Sequence, residues 1–191
     1  MRPFARRRRG GVLAVFDRGE AQVLASLASQ VVELLRDRSG PEESDVDPLA
    51  AQLGLGGPVL PPEDPVLQRL LPDAYRDDED DSAEFRRFTE RSLTSSKVAN
   101  AETLIASLVA GGLVPDADEA EPVEVELDDA QVQAWLRSLT DIRLSLAVRL
   151  GIETDDDALL AEHSEDEAVR AMADVYDWLG YVQETLVVSL G

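Results

Sequence analysis

Nucleophilic catalysis needs a nucleophile beside a positioned base, and this chain offers little material for it. It has no cysteine and a single histidine, His163, directly before Ser164. No G-x-S-x-G turn occurs to raise a serine above a sheet. His163 therefore reads as a junction residue, because an imidazole without a convergent partner seldom acts alone. Carboxylates are abundant, and the densest run is DDEDD at positions 77–81. A calcium loop needs alternating ligands, a central glycine and a terminal glutamate, and the run has none of that order. It reads as a solvated loop that also favours the start of the next helix. The segment LGLGGPVLPPE lacks phosphate-loop spacing and any Lys-Ser or Lys-Thr. These patterns supply no catalytic, cofactor-binding or metal-ligating set, and they predict a protein that is not an enzyme.

Binding chemistry is better represented. Arg6, Arg7, Arg8 and Arg9 run together near the N-terminus, and Arg86, Arg87 and Arg91 form a second cluster with Lys97 nearby. One reading makes each cluster a docking site for anionic groups on a partner. The other makes the first run a charged edge strand that discourages sheet aggregation. The two clusters form one basic face only if the fold brings them together.

The charge balance narrows the partners. The chain has 39 acidic against 18 basic residues, a formal net of −21, and 17 of the 18 cations are arginine. The first nine residues carry five arginines and no acid, so positions 10–191 hold a formal −26. Such a body repels polyanions, which argues against bulk affinity for nucleic acid or anionic membranes. The absence of cysteine excludes disulfides, thiolate catalysis and cysteine-ligated metal. No run approaches a membrane span, and the apolar stretch at 12–16 is short for a signal-peptide core, so a cytoplasmic protein is expected.

The elements that position these residues are mostly helical. At 191 residues a single domain is the default. The pattern predicts five to seven helices, with a β-hairpin over 3–16 turned at Gly10-Gly11 and a candidate third strand at 123–127. Main helices are expected over 17–38, 82–110 (one long helix or two joined), 128–150 and 164–189. An acidic, Pro/Gly-rich connector with short helices at 48–53 and 65–71 fills 40–81. The helix over 128–150 is the expected centre: Val132, Trp135, Leu139, Ile142, Leu146 and Leu150 share one face, with Leu144 and Val148 opposite. In the helix over 82–110, Phe85 and Phe88 are expected to anchor one end, with small or polar Ser92, Ser95 and Ala99 on the buried side. Thr154 is expected to cap a short helix over 155–162, and Ser164 the last one, with Glu167 completing a capping box. Arg143 and Gln183 both project near apolar stripes. A guanidinium is not buried alone, so the two are expected to form a buried polar pair, with Asp141 or Glu184 as alternative partners and outward snorkelling as the bland reading.

Four blocks, MRPFARRRRGGVLAVFD, EFRRFTERSLTSSKVANAETL, AWLRSLTDIRLSLAVRLGI and DWLGYVQETLV, resemble the actinobacterial AosR-type oxidative-stress regulators, long catalogued as a domain of unknown function. The resemblance runs over nearly the whole chain. It implies a non-enzymatic regulator that contacts the transcription machinery, a sigma factor or RNA polymerase, and affects cysteine biosynthesis. A thiol switch attributed to the family requires cysteine, so no redox residue carries over to this chain. Two other readings stand beside it. One is an adaptor in stress-linked proteolysis. The other is a winged-helix-like DNA binder using the arginine clusters, whose affinity would fall steeply with salt.

Overall fold

The computed structural model describes residues 1–8, 10–39, 60–73, 79–114 and 121–191, with residues 79–85 and 87 described by backbone alone. The expected short helix at 48–53, residues Asp77 and Asp78 of the acidic run, and Arg9 lie outside the described residues.

Among the described residues the fold is mainly α, with six helices and one three-stranded antiparallel sheet in the order β1-β2-β3. Strands β1 (Arg2–Arg6) and β2 (Val12–Phe16) form the hairpin, and β3 (Val123–Leu127) pairs with β2 from Val12↔Leu127 to Phe16↔Val123. The turn is tight because Gly10 and Gly11 both adopt positive φ. At Gly11 a side chain is also barred by space, since a Cβ would stand 2.3 Å from the Leu127 carbonyl oxygen. Period-2 alternation puts Val123, Val125 and Leu127 on the buried face beside Val12, Ala14 and Phe16.

Helix α1 (Arg18–Ser39) starts where the hairpin ends. Asp17 Oδ1 accepts from the Glu20 N–H, and Glu20 Oε2 accepts from the Asp17 N–H, each at 2.8 Å. This reciprocal cap satisfies donors that the first turn leaves free. Helix α2 (Pro65–Leu70) is capped by Asp64 with proline in its first turn. Helix α3 (Glu79–Ala110) is one continuous helix. Helix α4 (Asp129–Leu150) has a capping box between Asp128 and Gln131 and ends on Gly151 in the left-handed conformation. Helix α5 (Asp155–Glu162) is capped by Thr154. Helix α6 (Glu167–Val188) is capped by Asp166.

The start of α6 corrects the sequence expectation. Ser164 lies in the linker, where its Oγ accepts from the Asp166 N–H at 3.2 Å. Asp166 is closer to the helix and accepts from the N–H groups of Ala168 and Val169, so it takes the capping position.

The long helices alternate in direction. Arg18 at the start of α1 donates to the carbonyls of Gly112 and Val114 just past α3, whereas Arg38 at the end of α1 reaches Glu90 near the start of α3. Thr140 and Arg143 on α4 meet Gln183, and Arg143 also meets Gly180 and Tyr176, which fixes α4 and α6 antiparallel. The sheet therefore covers one end of the bundle, and α2 and α5 sit towards the other. Trp135, Leu139 and Ile142 of α4 are fully buried, and the Trp135 ring packs against Phe16 (24° between planes) and edge-on against Phe4 (79°). Residues Leu144, Val148 and Leu150 of α4 are only half-buried. No described helix is long and apolar enough to cross a membrane.

Candidate interaction surface

The buried face of α3 differs from the one expected. Ser92, Ser95 and Ala99 are exposed, and Phe88 keeps 53% of its surface in solvent. The inward stripe is instead Arg86, Glu90, Thr94, Lys97, Ala101, Leu104 and Leu108, spaced by three and four. Its first half is polar because partners from other elements neutralise it. Arg38 Nε donates to Glu90 Oε1 at 2.8 Å, and Arg86 bonds Asp73 while its Nε lies 3.8 Å from Glu90 Oε2. Lys97 Nζ donates to Asp141 Oδ1 at 2.6 Å, joining α3 to α4. Burial pushes the Asp141 carboxyl above its ordinary value, opposed by the hydrogen bond and charge of Lys97.

These contacts remove members of the second basic cluster from the surface. Arg86 is buried inside an ion-pair group, and Lys97 is largely enclosed against Asp141. Arg91 is exposed, and the Arg87 side chain lies outside the described residues. A surface cleft of about 490 Å³ opens here, lined by Leu71, Asp73, Arg86, Phe88, Glu90 and Leu93 among others.

The first cluster lies elsewhere. Arg6 ends β1, and Arg7 and Arg8 enter the hairpin turn, all three exposed. Arg7 pairs with Glu126 of β3, which ties the turn to the third strand. The contact of Gly111 with Glu124 joins the far end of α3 to the sheet. Arg86 and Arg91 therefore stand about seven and about five and a half helical turns along α3 from that junction. The fold does not set the two clusters side by side. Exposed Arg6, Arg7 and Arg8 stand together on the hairpin, with Arg7 paired to Glu126.

Arg143 Nη1 donates to Gln183 Oε1 at 3.1 Å, Gln183 Nε2 donates to Thr140 Oγ1 at 2.8 Å, and the guanidinium lies over the Tyr176 ring at 4.8 Å. Asp141, weighed as a partner for Arg143, faces Lys97 instead. His163 is exposed and its Nδ1 sits 2.8 Å from the Leu159 carbonyl oxygen, as a residue ending a helix does. Among the described residues no group of three or more histidines, aspartates or glutamates is placed to hold a metal ion.

The sequence reading missed one surface feature. Leu159 and Leu160 on α5 are exposed, while Ala161 is the buried residue of that helix. The available signal was the short length of α5 and its acidic start, which mark a helix with one narrow contact.

The model of a domain of unknown function, DUF2017, matches residues 1–190 of the chain. The oxidative stress regulator AosR of Mycobacterium tuberculosis (strain H37Rv) is 34% identical over 181 residues, covering 90% of this chain and 78% of the relative. The oxidative stress regulator AosR of Mycobacterium bovis matches with the same identity and coverage. No solved structure matches the chain.

Proposed function

Because the chain belongs to the DUF2017 family of AosR-type oxidative-stress regulators, we propose that it regulates the oxidative-stress response by contact with the transcription machinery, a sigma factor or RNA polymerase. The observation that carries the contact mode is the segregation of charge. A body with a formal −26 over positions 10–191 presents exposed Arg6 and Arg8 on a hairpin turn at one end. A turn bearing arginines suits recognition of carboxylates on a protein, because electrostatic complementarity sets orientation and encounter rate. The acidic remainder disfavours nucleic acid as the ligand of that turn. Without cysteine, the chain does not read oxidant through a thiol of its own.

The test is a tagged pull-down from oxidant-stressed cells, run with the wild-type chain and with Arg6, Arg7, Arg8 and Arg9 changed to serine. Recovery of polymerase or a sigma factor by the wild type, and its loss in the variant, supports the reading. Recovery of protease or chaperone components without polymerase replaces it with an adaptor role in proteolysis.

A further inference from the structure

Helix α5 is built opposite to the usual amphipathic pattern. It turns Ala161 inward and half-buries Asp157, Ala158 and Glu162, whereas Leu159 and Leu160 are 55% and 70% exposed. Its position is set by its cap. Thr154 Oγ1 accepts from the Asp157 N–H, and Asp157 Oδ2 accepts from the Thr154 N–H and hydroxyl at 2.9 Å. Exposed Asp155 and Asp156 lie one helical turn before Leu159 and Leu160, so the outer face of α5 is an apolar pair flanked by carboxylates.

The rim says what kind of molecule. From position 153 to 167 the chain carries eight carboxylates and no arginine or lysine. Asp155 and Asp156 are exposed, and hydrogen bonds from the Thr154 side chain and from the Glu153 and Thr154 N–H groups hold the Asp157 carboxyl below its ordinary value. Beside the start of α5 lies a cleft of about 620 Å³, lined by Pro65, Gln68, Arg69, Val148, Ile152 and Glu153 among others. Among the described residues, Arg69 is the one cation in that lining. A second copy docked face to face would set one carboxylate rim against another, and like charges across an interface are unfavourable. An anionic lipid surface is repelled for the same reason.

We propose that the outer face of α5, Leu159 and Leu160 beside the exposed Asp155 and Asp156, docks an amphipathic helix of another protein whose apolar stripe is flanked by arginine and lysine. Leucines give the contact its apolar centre, and the surrounding carboxylates select a basic partner and fix its register. The proposal deepens the protein-contact reading and rests on it only for the existence of a partner. It assigns that partner's chemistry to the end of the bundle opposite the arginine turn.

The test is fluorescence anisotropy with a labelled leucine/lysine peptide of about 18 residues, apolar on one helical face, and a scramble of the same composition. The full chain is titrated as wild type, Leu159→Ser/Leu160→Ser, Asp155→Asn/Asp156→Asn, and Asp174→Asn/Asp177→Asn. The last pair removes the same charge from exposed positions on α6. All replaced side chains are exposed, and unchanged circular dichroism verifies folding. The amphipathic peptide should bind about tenfold tighter than the scramble, and the leucine variant should lose about that factor. Asp155→Asn/Asp156→Asn should weaken binding several-fold with a shallower salt dependence, whereas the α6 control should stay within roughly twofold. Equal binding of both peptides, an unaffected leucine variant, or an equal loss in the α6 control overturns the proposal. So does a wild-type dimer, seen by light scattering, that Leu159→Ser/Leu160→Ser dissociates, because the face then belongs to a second copy. Peptide binding that fails while polymerase binding persists sinks this inference and leaves the proposed function standing.

Discussion

Replacing Lys97 by methionine removes the ammonium that lies 2.6 Å from Asp141 Oδ1 while keeping most of the side-chain stem. The Asp141 side chain is 7% exposed, so its carboxylate is left without a counter-charge between α3 and α4. Losing one partner of a buried ion pair destabilises by about 3–5 kcal/mol. Lys97 keeps 16% of its side chain in solvent, which points to the lower end, about 3 kcal/mol. Changing Asp141 to leucine as well replaces the pair by apolar contact, and the double variant should return to within about 1 kcal/mol of wild type or exceed it. The sign of the pH dependence follows from burial. The folded-state value of Asp141 is raised above 3.8, so its ionisation opposes folding. That penalty is absent below the unfolded value and develops as pH rises through the folded one. Without Lys97 the two lowering influences vanish and the folded value climbs further. The Lys97→Met deficit should therefore be small near about pH 4 and fully developed by about pH 8. Urea unfolding followed by circular dichroism, at both pH values and on both singles and the double, measures the cycle. A Lys97→Met variant within about 1 kcal/mol of wild type throughout, or a double no more stable than that single, would refute the reasoning.

Five further substitutions probe packing, backbone geometry and the Arg143 contacts. Trp135→Ala should lower stability by about 3–5 kcal/mol, because the ring is fully buried between Phe4 and Phe16. Trp135→Phe should lose much less, since the buried indole Nε1 has no hydrogen-bond partner among the described residues to forfeit; equal losses in urea unfolding would contradict that. Gly151→Ala should cost about 1 kcal/mol, from its positive φ with nothing within 4 Å of an added Cβ. Gly11→Ala should cost clearly more because the Leu127 carbonyl also blocks the position, and thermal melts that rank the two the other way would be decisive against it. Arg143→Met should lower stability by about 1–2 kcal/mol through loss of the Gln183 bond and the Tyr176 contact. An unchanged or higher melting temperature would show that the pair is dispensable.

The mainly α architecture with its small sheet was legible in the sequence, because local patterns signal it. Asp128, Gly151 and Thr154 mark helix ends through their own backbone and side-chain chemistry, and Val123 to Leu127 alternates with the period of a strand. The start of α6 was misjudged because Ser164 and Glu167 match a capping-box spacing that Asp166 pre-empts from two residues nearer. The inner face of α3 was not legible for a different reason. Arg86, Glu90 and Lys97 are polar, and only ion pairs reaching from 13 to 52 residues away in the chain make them buriable. Leu159 and Leu160 were obscured likewise, since the sequence shows two leucines on a helix and the packing alone shows that Ala161 takes the interior.

Protein contact through the arginine turn is tested most directly by interferometry of the purified chain on immobilised actinobacterial RNA polymerase holoenzyme. Saturable binding with Kd of about 1 μM or tighter is predicted, weakened about tenfold or more when Arg6, Arg7, Arg8 and Arg9 are serine. Absence of binding, or affinity that ignores the four substitutions, would contradict the account.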